Sequence, residues 1–312
     1  MPVIRVVNLR RWRLVMLLWL WPAVLAGAQV FRVATFNIEN YLEIPSGRRP
    51  AKSPEAKAAA RDSILAIKPD VIALEEVGST NALLELQAAL KAGGLDLPYW
   101  DQVAAYDTNI HVSVLARFPI VARRPHTNES FLLDGRRFQV SRGFAEVDIQ
   151  VNPQFTFTLI AAHLKSRRPD PAADEEEWRY EDATALRRVV DARLADNPDQ
   201  KLVVLGDLND VKDSKSLRAI LGRGRSRLFD TRPAERNGDA PARSGRGRDS
   251  RNITWTHYYA VEDVYSRIDY ILLSRGMEKQ WLSEETYVLS LPNWGLASDH
   301  RPLVAGFTAA EQ

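Results

Sequence analysis

The stretch Ser298-Asp299-His300-Arg301-Pro302, close to the end of the 312-residue chain, completes a series of polar motifs that begins at Asn37. The earlier members are Asn37 in Ala-Thr-Phe-Asn, Glu76 in Ala-Leu-Glu-Glu-Val, His163 in Ala-Ala-His-Leu-Lys, Asp207 and Asn209 in Gly-Asp-Leu-Asn, and Asp269 in Arg-Ile-Asp-Tyr. Taken singly, such motifs also occur in turns and at helix starts. As a set, their carboxylate, amide and imidazole groups suit a site for a metal ion and a phosphate.

Almost every one of these motifs ends an apolar run of the kind that forms β-strands. The runs cover residues 31–36, 71–74, 155–162 and 201–205. Residues 155–159 alternate Phe, Thr, Phe, Thr and Leu, as half-buried strands do. Residues at the same ends of adjacent strands converge in space. We therefore expect the polar motifs to meet at one edge of the sheets.

Helix signals lie between the strands. The predicted helices cover residues 54–68, 81–91 and 175–194, and a short one follows Ser214. Ser53 is a suitable N-cap for the first of them, and Pro54 suits its first position. Because strands outnumber helices and short polar turns join several neighbours, the pattern favours two mixed or antiparallel sheets packed face to face, with helices on their outer faces.

The motifs, in this order, resemble those of the endonuclease/exonuclease/phosphatase superfamily, the group that includes deoxyribonuclease I. The resemblance covers residues 31–307. It implies an α/β fold, a four-layer α/β/β/α sandwich of two mixed sheets with the site at one rim. It also implies a phosphoesterase that depends on Mg²⁺ or Mn²⁺.

The metal ligands are expected among the oxygen-bearing residues, because Mg²⁺ and Mn²⁺ prefer hard oxygen donors. Glu76 is the first candidate, with Asn37 and Asp299 beside it. Glu75 competes with Glu76, but adjacent residues of a strand point to opposite faces, so only one of the two is expected in the site. The superfamily places its Glu before a Val or Thr, which selects Glu76 and leaves Glu75 a polar contact on the other face.

The resemblance also implies roles in hydrolysis. Asp207 would orient or deprotonate the attacking water, and the amide of Asn209 would donate to a phosphate oxygen. His300 would contact the phosphate, with Asp269 holding its tautomer and favouring the imidazolium. His163 would donate a hydrogen bond or a proton to the phosphate or to the leaving oxygen.

Further residues have weaker signals. Lys165 and Asn109 are candidates for substrate binding at the same rim. Asp210 follows Asn209 in a turn and is expected to stabilise that turn. The remaining histidines match no position of the superfamily; they are His111, His126 and His257.

The N-terminus has the pattern of a bacterial secretory signal peptide. Four arginines and no acid precede an apolar stretch over residues 14–25, and Ala26-Gly27-Ala28 matches a cleavage site. We expect cleavage after Ala28, leaving a single catalytic domain over residues 29–312 that is secreted or periplasmic. The alternative is an uncleaved membrane anchor, since about 18 apolar residues begin to span a bilayer.

Composition excludes some chemistry and leaves the substrate open. The absence of Cys excludes disulfides, thiol catalysis and thiolate metal sites. Removing four of the 42 basic residues with the signal peptide leaves 38 against 40 acidic ones, a net charge of −2. Global charge therefore gives no support to nucleic-acid binding.

One segment has a local excess of positive charge. Residues 223–251 carry nine Arg against four acidic residues and predict a flexible insertion beside the site. With the aromatics Trp255, Tyr258 and Tyr259, it favours nucleic acid as the substrate and a nuclease as the function. The alternatives are a sphingomyelinase-like or other phospholipid phosphodiesterase, a phosphomonoesterase, or a binding protein without catalysis. No obligate protein partner is evident, and we expect a monomer.

Overall fold

The computed structural model of the protein describes residues 29–195, 197–235 and 254–310. The predicted signal peptide, residues 1–28, and residues 236–253 of the Arg-rich segment lie outside this part of the chain. Two large mixed β-sheets and six α-helices make up the described structure. This agrees with the fold class that the sequence predicts.

The first sheet has seven strands, here numbered along the chain. From one edge to the other they are β12 (Ala234–Glu235), β16 (Trp281–Val288), β17 (Leu303–Ala309), β1 (Gln29–Tyr41), β2 (Val71–Val77), β4 (His111–Ala116) and β3 (Tyr99–Val103). The N-terminal strand β1 pairs antiparallel with β17 and parallel with β2. In the parallel pair Asn37 lies beside Glu75, so the polar ends of both strands reach the same edge.

The second sheet has six strands. In order they are β11 (Phe229–Asp230), β15 (Asp269–Leu273), β10 (Leu202–Asp207), β9 (Phe155–His163), β8 (Phe144–Asn152) and β5 (Ile120–Arg123). His163 is paired with Asp207 in the parallel β9–β10 ladder, and Asp207 with Asp269 in the antiparallel β10–β15 ladder. Three residues predicted for the site are thus neighbours on three adjacent strands.

Two short hairpins stand apart from these sheets. One consists of β6 (Ser130–Leu133) and β7 (Arg136–Gln139), and the other of β13 (His257–Tyr259) and β14 (Val264–Ser266). The second hairpin is joined to the site, because His257 forms a β-bridge with His300.

The four predicted helices begin at the predicted residue or one residue before it, and two further short helices, α5 and α6, were not predicted. They are α1 (Pro54–Ile67), α2 (Thr80–Ala92), α3 (Glu175–Leu194), α4 (Lys215–Leu221), α5 (Arg275–Glu278) and α6 (Trp294–Ala297). A side-chain oxygen caps each of the first four, from Ser53, Ser79, Asp174 and Ser214. Within the described residues, no helix is long and apolar enough to cross a membrane.

The two sheets pack face to face through apolar side chains. The ring of Phe31 on β1 lies 5.6 Å from that of Phe307 in its own sheet, and 5.7 and 5.5 Å from Phe155 and Phe157 of the other sheet. On the outer faces, residues of α1 and α2 pack against the first sheet, and residues of α3 and α4 against the second. This produces the predicted four layers and leaves the polar strand ends at one rim.

Candidate active site

Asp207, at the end of β10, is the residue around which the site is built. It is 1% exposed, and its strand neighbours are His163 and Asp269. The His163 Nε2 atom lies 3.3 Å from Asp207 Oδ2. The parallel pairing of β9 and β10 brings the two side chains together at the carboxyl ends of their strands, as the sequence predicts.

Two asparagines hold the Asp207 carboxylate. The Asn37 Nδ2 group donates from the first sheet to Asp207 Oδ2 over 3.0 Å, and the backbone N–H of Asn209 donates to Oδ1 over 2.9 Å. Asn209 has a φ of 53°, which turns its backbone back toward Asp207. Its side-chain amide donates to the Leu164 carbonyl over 3.0 Å and to Asp207 Oδ2 over 3.3 Å. In this structure the Asn209 amide, predicted for a phosphate, therefore supports Asp207.

The surroundings of Asp207 raise its pKa to about 6. Burial is the largest cause of this rise in pKa; the positive charge of His300 opposes it, and the charge of Asp269 adds to it. The hydrogen bonds from Asn37 and Asn209 lower the pKa again. A carboxylate with a pKa close to neutrality is suited to accept a proton from water.

His300 is paired with Asp269. Its Nδ1 atom lies 2.9 Å from Asp269 Oδ2, and its Nε2 atom lies 3.7 Å from Asp207 Oδ2. Burial would lower the pKa of His300, but the charges of Asp269 and Asp207 outweigh burial and raise it well above its usual value. These interactions favour the imidazolium form of the ring.

His163 differs from His300 in charge. Burial lowers the pKa of His163 well below its usual value, and the positive charges of Arg142, His300 and Arg49 act in the same direction. Its contact with Asp207 is therefore not an ion pair. The Nδ1 atom of His163 is buried without a hydrogen-bond partner among the described residues.

Acidic side chains gather at the rim above Asn37. Glu76 Oε2 accepts a hydrogen bond from the Asn40 backbone N–H over 2.9 Å. Glu39 accepts from the backbone N–H of Asp299, and the Glu39 backbone N–H donates to Asn37 Oδ1 over 3.0 Å. Burial raises the pKa of Glu39, the charge of Asp299 adds to that rise, and the charge of Lys52 opposes it. The sequence had not indicated Glu39.

The backbone explains how Glu76 reaches this rim. Glu76 has a φ of 63° and Glu39 a φ of 41°, the left-handed region that costs free energy for residues other than glycine. The β1–β2 and β2–β4 ladders both change register here, between Asn37 and Tyr41 and between Leu74 and Val77. These irregularities interrupt the strict alternation of side chains.

Glu76 departs from the alternation of β2, whereas Glu75 follows it. Glu75 lies on the same face as Val71 and Ala73, which pack between the two sheets. It is fully buried, and its Oε1 accepts a hydrogen bond from Thr35 over 2.9 Å. Burial raises the pKa of Glu75 well above its usual value, and the charges of Asp269 and Asp207 add to the rise. Glu75 thus lies close to the catalytic group, and the expectation that it makes a contact on the opposite face is wrong.

His257 belongs to the site although no sequence motif identified it. Its Nε2 atom lies 3.6 Å from Asp299 Oδ2, and its ring centroid lies 4.6 Å from that of His300. Burial favours a raised pKa for Asp299, but the contact with His257 and the charge of His300 hold that pKa below its usual value. The only sequence signal is the position of His257 within a run of aromatic residues.

Among the His, Asp and Glu side chains that the structure describes, two groups have ligand atoms within 4.8 Å of one another: His257 with Asp299 and His300, and His300 with Asp207 and Asp269. His300 is a poor ligand in either group, because its protonation is favoured and Asp269 occupies its Nδ1. Glu39 and Glu76 lie outside both groups. The carboxylates of Glu39, Glu76 and Asp299 are donors of the kind that Mg²⁺ and Mn²⁺ prefer, but in this structure their ligand atoms do not form such a group.

Lys165 and Asp210 are two of the residues for which the sequence contains less evidence of a role in the site. Lys165 Nζ donates to Asp170 over 2.9 Å and lies 5.2 Å from the centre of the Trp178 ring. Asp210 lies 3.3 Å from Arg179 Nε, in agreement with a structural role in its turn.

Asn109 belongs to a separate polar group beside His163. Its backbone N–H and its Nδ2 donate to Asp107 over 3.0 and 3.2 Å. The other oxygen of Asp107 lies 3.4 Å from Arg49 and 3.9 Å from Arg142. These two arginines are the ones whose charges lower the pKa of His163.

A family model described as "Endonuclease/Exonuclease/phosphatase family" matches residues 34–300. The chain belongs to this family. Members of the family are hydrolases that act on phosphoesters, and family enzymes use divalent metals. A comparison with curated protein sequences found no match.

Solved structures of the same fold include proteins with several named activities. Truncated TDP2 of Caenorhabditis elegans aligns with a TM-score of 0.59 at 16% identity, over 90% of this chain and 98% of that one. The human Nocturnin catalytic domain aligns with a TM-score of 0.59 at 15% identity, over 91% of this chain and 98% of that one. Sphingomyelinase C of Streptomyces griseocarneus aligns with a TM-score of 0.58 at 20% identity, over 89% of this chain and 99% of that one. At these identities the similarity establishes the fold and not the substrate.

Proposed function

We propose that the protein is an exported phosphodiesterase, dependent on Mg²⁺ or Mn²⁺, that hydrolyses DNA or RNA. The observation that carries the proposal is the setting of Asp207. Asn37 and the Asn209 backbone N–H orient this carboxylate, and its pKa of about 6 suits a general base. The imidazolium of His300 and the neutral ring of His163 flank it.

In the proposed reaction a water oxygen attacks the phosphorus in line with the leaving oxygen. Asp207 takes the proton of this water as the new P–O bond forms and the P–O bond to the leaving oxygen breaks. Asn37 keeps the Asp207 oxygen in place, since its hydrogen bond crosses from the other sheet. The second Asp207 oxygen remains bound to the Asn209 backbone N–H.

The two histidines act on the phosphate side. The His300 imidazolium would stabilise the negative charge that develops on the phosphoryl oxygens, and Asp269 maintains that protonation state. His163, neutral and buried, would donate a hydrogen bond to the phosphate or the leaving oxygen. A divalent cation bound by Glu76 and Asp299, with Glu39 and Asn37 near it, would neutralise phosphate charge and favour release of the leaving group.

Two features support nucleic acid as the substrate. The arginines of segment 223–251 that fall in the described part are exposed: Arg223, Arg225, Arg227 and Arg232. The chain re-enters the described structure at Thr254, three residues before His257, which contacts Asp299. An arginine-rich segment that returns so close to the site is suited to contact a polynucleotide backbone.

One feature favours a phospholipid phosphodiesterase as the second candidate. The β13–β14 hairpin exposes apolar and aromatic side chains next to the site: Tyr259 at 38%, Val261 at 81% and Tyr265 at 53%. The acidic residues Glu262 and Asp263 occupy the same turn and would repel an anionic membrane surface. The hairpin is three residues long on each side, shorter than the long apolar hairpin expected for membrane insertion.

A substrate panel tests the proposal. The purified protein and an Asp207→Asn control would be assayed with Mg²⁺ or Mn²⁺ on DNA, RNA, sphingomyelin, bis-p-nitrophenyl phosphate and p-nitrophenyl phosphate. We expect cleavage of the nucleic acids and of bis-p-nitrophenyl phosphate, and little turnover of the monoester. The Asp207→Asn variant should cleave neither the nucleic acids nor the diester. Preferential hydrolysis of sphingomyelin would select the second candidate, and preference for the monoester would reject a phosphodiesterase.

Export is a separate part of the proposal. It rests on the charged and apolar segments that precede Ala26-Gly27-Ala28. Expression in a bacterial host should yield a mature protein that begins at Gln29 in the periplasm or medium, measured by N-terminal sequencing. Recovery of the intact chain in membranes would support the anchor instead.

A further inference from the structure

His257 lies on the short β13–β14 hairpin, and the proposed reaction gives it no role. Its ring centroid lies 4.6 Å from that of His300, and its Nε2 atom lies 3.6 Å from Asp299 Oδ2. The second separation is longer than a hydrogen bond. The side chain of His257 is 16% exposed, which leaves part of the ring accessible to a substrate at the rim.

The backbone on both sides of His257 is held to the segment that carries the Ser-Asp-His motif. The Tyr258 N–H donates to the carbonyl of Asp299 over 2.9 Å, and the carbonyl of Thr256 accepts from the Arg301 N–H over 2.7 Å. Because both neighbours of His257 are anchored, its ring is preorganised beside the site and is not a mobile side chain of a surface hairpin.

Asp207 and His257 lie on different sides of His300. Among the described side chains they belong to two different groups of close ligand atoms, and His300 is the member that the two groups share. The Nε2 atom of His300 lies 3.7 Å from Asp207 and 3.9 Å from Asp299, the carboxylate that His257 contacts. His163 is on the side of the proposed base, since its Nε2 atom lies 3.3 Å from Asp207.

This arrangement bears on the leaving oxygen, because an in-line displacement places the attacking water and the leaving oxygen on opposite sides of the phosphorus. With the water beside Asp207 and the phosphate at His300, the leaving oxygen falls on the side of His257. We therefore propose that His257 is a further catalytic residue, whose imidazole N–H donates a hydrogen bond to the leaving oxygen. The inference rests on the proposed function and adds a residue to it. His163, on the side of the base, is left to bind the phosphate.

The hydrogen bond from His257 would act while the bond to the leaving group breaks. The leaving oxygen keeps the electron pair of the broken P–O bond, so negative charge grows on it, and a donor already in place stabilises that charge. The proton of the attacking water goes to Asp207, and the leaving oxygen takes its own proton from solvent.

A leaving-group series tests this inference without requiring the natural substrate. Methyl aryl phosphates that range from the p-nitrophenyl to the phenyl ester share one transferred group and differ in the stability of the leaving anion. The kcat of each ester is measured at saturating Mn²⁺ for the unchanged protein and for His257→Phe, His257→Gln and Val264→Ala. Val264 is the matched control, because it lies on the partner strand of the same hairpin, opposite Tyr259. Thermal unfolding verifies that each variant is folded, and His257→Leu replaces His257→Phe if the latter does not fold.

We expect kcat of His257→Phe to stay within about threefold of the unchanged protein on the p-nitrophenyl ester and to fall about tenfold or more on the phenyl ester. The reason is that p-nitrophenolate is a stable anion, whereas phenolate needs the hydrogen bond more. His257→Gln keeps an N–H donor and should recover part of the loss. Val264→Ala should match the unchanged protein on both esters.

An equal loss on every ester in His257→Phe, or no loss, would overturn the role of His257 alone. A loss in Val264→Ala that also grows from the p-nitrophenyl to the phenyl ester would assign the effect to the hairpin as a whole, and would overturn that role too. Failure of the unchanged protein to hydrolyse any of the esters would overturn both this inference and the phosphodiesterase function.

Discussion

Asn37 and Asp207 join the two sheets of the sandwich through one hydrogen bond of 3.0 Å, although 170 positions separate them in the chain. Asn37 is 2% exposed and Asp207 is 1% exposed, so the bond is shielded from water. A bond from the amide to the ionised carboxylate lowers the pKa of Asp207, against the effect of burial. The packing of the sheets thus controls the ionisation of the proposed general base.

The Asn37→Ala substitution should make activity fall more strongly at low pH. Without the amide, the pKa of Asp207 rises, and the fraction of deprotonated base at pH 6 becomes smaller. Since Asp207 has a pKa of about 6, losing a hydrogen bond worth about 1 kcal/mol raises that pKa by about 0.7 unit and lowers kcat/KM at pH 6 by roughly threefold. The measurement is a pH profile of bis-p-nitrophenyl phosphate hydrolysis at saturating Mn²⁺, which offsets any loss of metal affinity. An equal loss of kcat/KM at every pH would show that Asn37 does not lower the pKa of Asp207.

Asp207→Ala and His300→Ala should each lower kcat by about a hundredfold or more, the scale of a lost general base or lost charge stabilisation. Asp210→Ala serves as the matched control, because Asp210 lies three positions after Asp207. The kcat of the Asp210→Ala variant should stay within about tenfold of the kcat of the unchanged protein. Its loss leaves the buried Arg179 without its carboxylate partner, so we expect a lower unfolding temperature. The reverse order of kcat values would mean that the water is activated by Asp210.

Metal removal should abolish turnover. Glu39, Glu76 and Asp299 offer only oxygen ligands, which hold Mg²⁺ and Mn²⁺ weakly enough for EDTA to compete. Activity should disappear in EDTA and return when Mg²⁺ or Mn²⁺ is added in excess, followed with bis-p-nitrophenyl phosphate. Full activity in the chelator would exclude the proposed mechanism.

The sequence was sufficient to predict the layers of the fold and the convergence of distant motifs. His163, Asp207 and Asp269 meet because regular strand pairing aligns them, and regular pairing is what alternation and apolar runs encode. The caps of the helices were predictable for a similar reason, since Ser53 and Ser214 act within a single turn.

Local irregularity and long-range packing account for what the sequence did not predict. The left-handed φ of Glu76 interrupts alternation, so both Glu75 and Glu76 lie near the site. His257 joins the site through a β-bridge to His300, a contact across 43 positions that no local pattern encodes. Lys52 approaches Glu39 because of where α1 begins, which also depends on tertiary structure.

Asp182 provides a test of stability against pH. It is fully buried on α3, where burial raises its pKa from 3.8 to about 7, while the hydrogen bond from the Lys165 backbone N–H opposes the rise. Between these two pKa values the folded state binds more protons than the unfolded state, so stability falls as pH rises. Asp182→Asn keeps an oxygen acceptor for Lys165 and removes this dependence.

The free energy of unfolding, measured in urea at pH 5 and pH 8, should therefore decrease less in Asp182→Asn than in the unchanged protein. The difference between the two decreases should be roughly 2–3 kcal/mol, from the two units of pH between 5 and the folded pKa. Other titrating groups are common to both proteins and cancel in the comparison. Equal decreases would mean that Asp182 is ionised in the folded state at pH 5.

The Arg-rich segment is where a nuclease and a general phosphodiesterase differ most. Residues 236–253 contain five arginines, and replacing them with a Gly-Ser linker leaves the described residues on either side unchanged. If these arginines contact a polynucleotide backbone, each contact contributes about −0.7 to −0.9 to the slope of log affinity against log salt concentration. The replacement should then raise KM for DNA or RNA and flatten the slope. Hydrolysis of bis-p-nitrophenyl phosphate should hardly change, because the small ester needs only the residues around Asp207.

Loss of activity on both the nucleic acid and the small ester would instead indicate damage to the fold near Thr254 and His257. A salt slope that is identical with and without the segment would show that it is a solvated insertion, and would remove the main support for nucleic acid as the substrate.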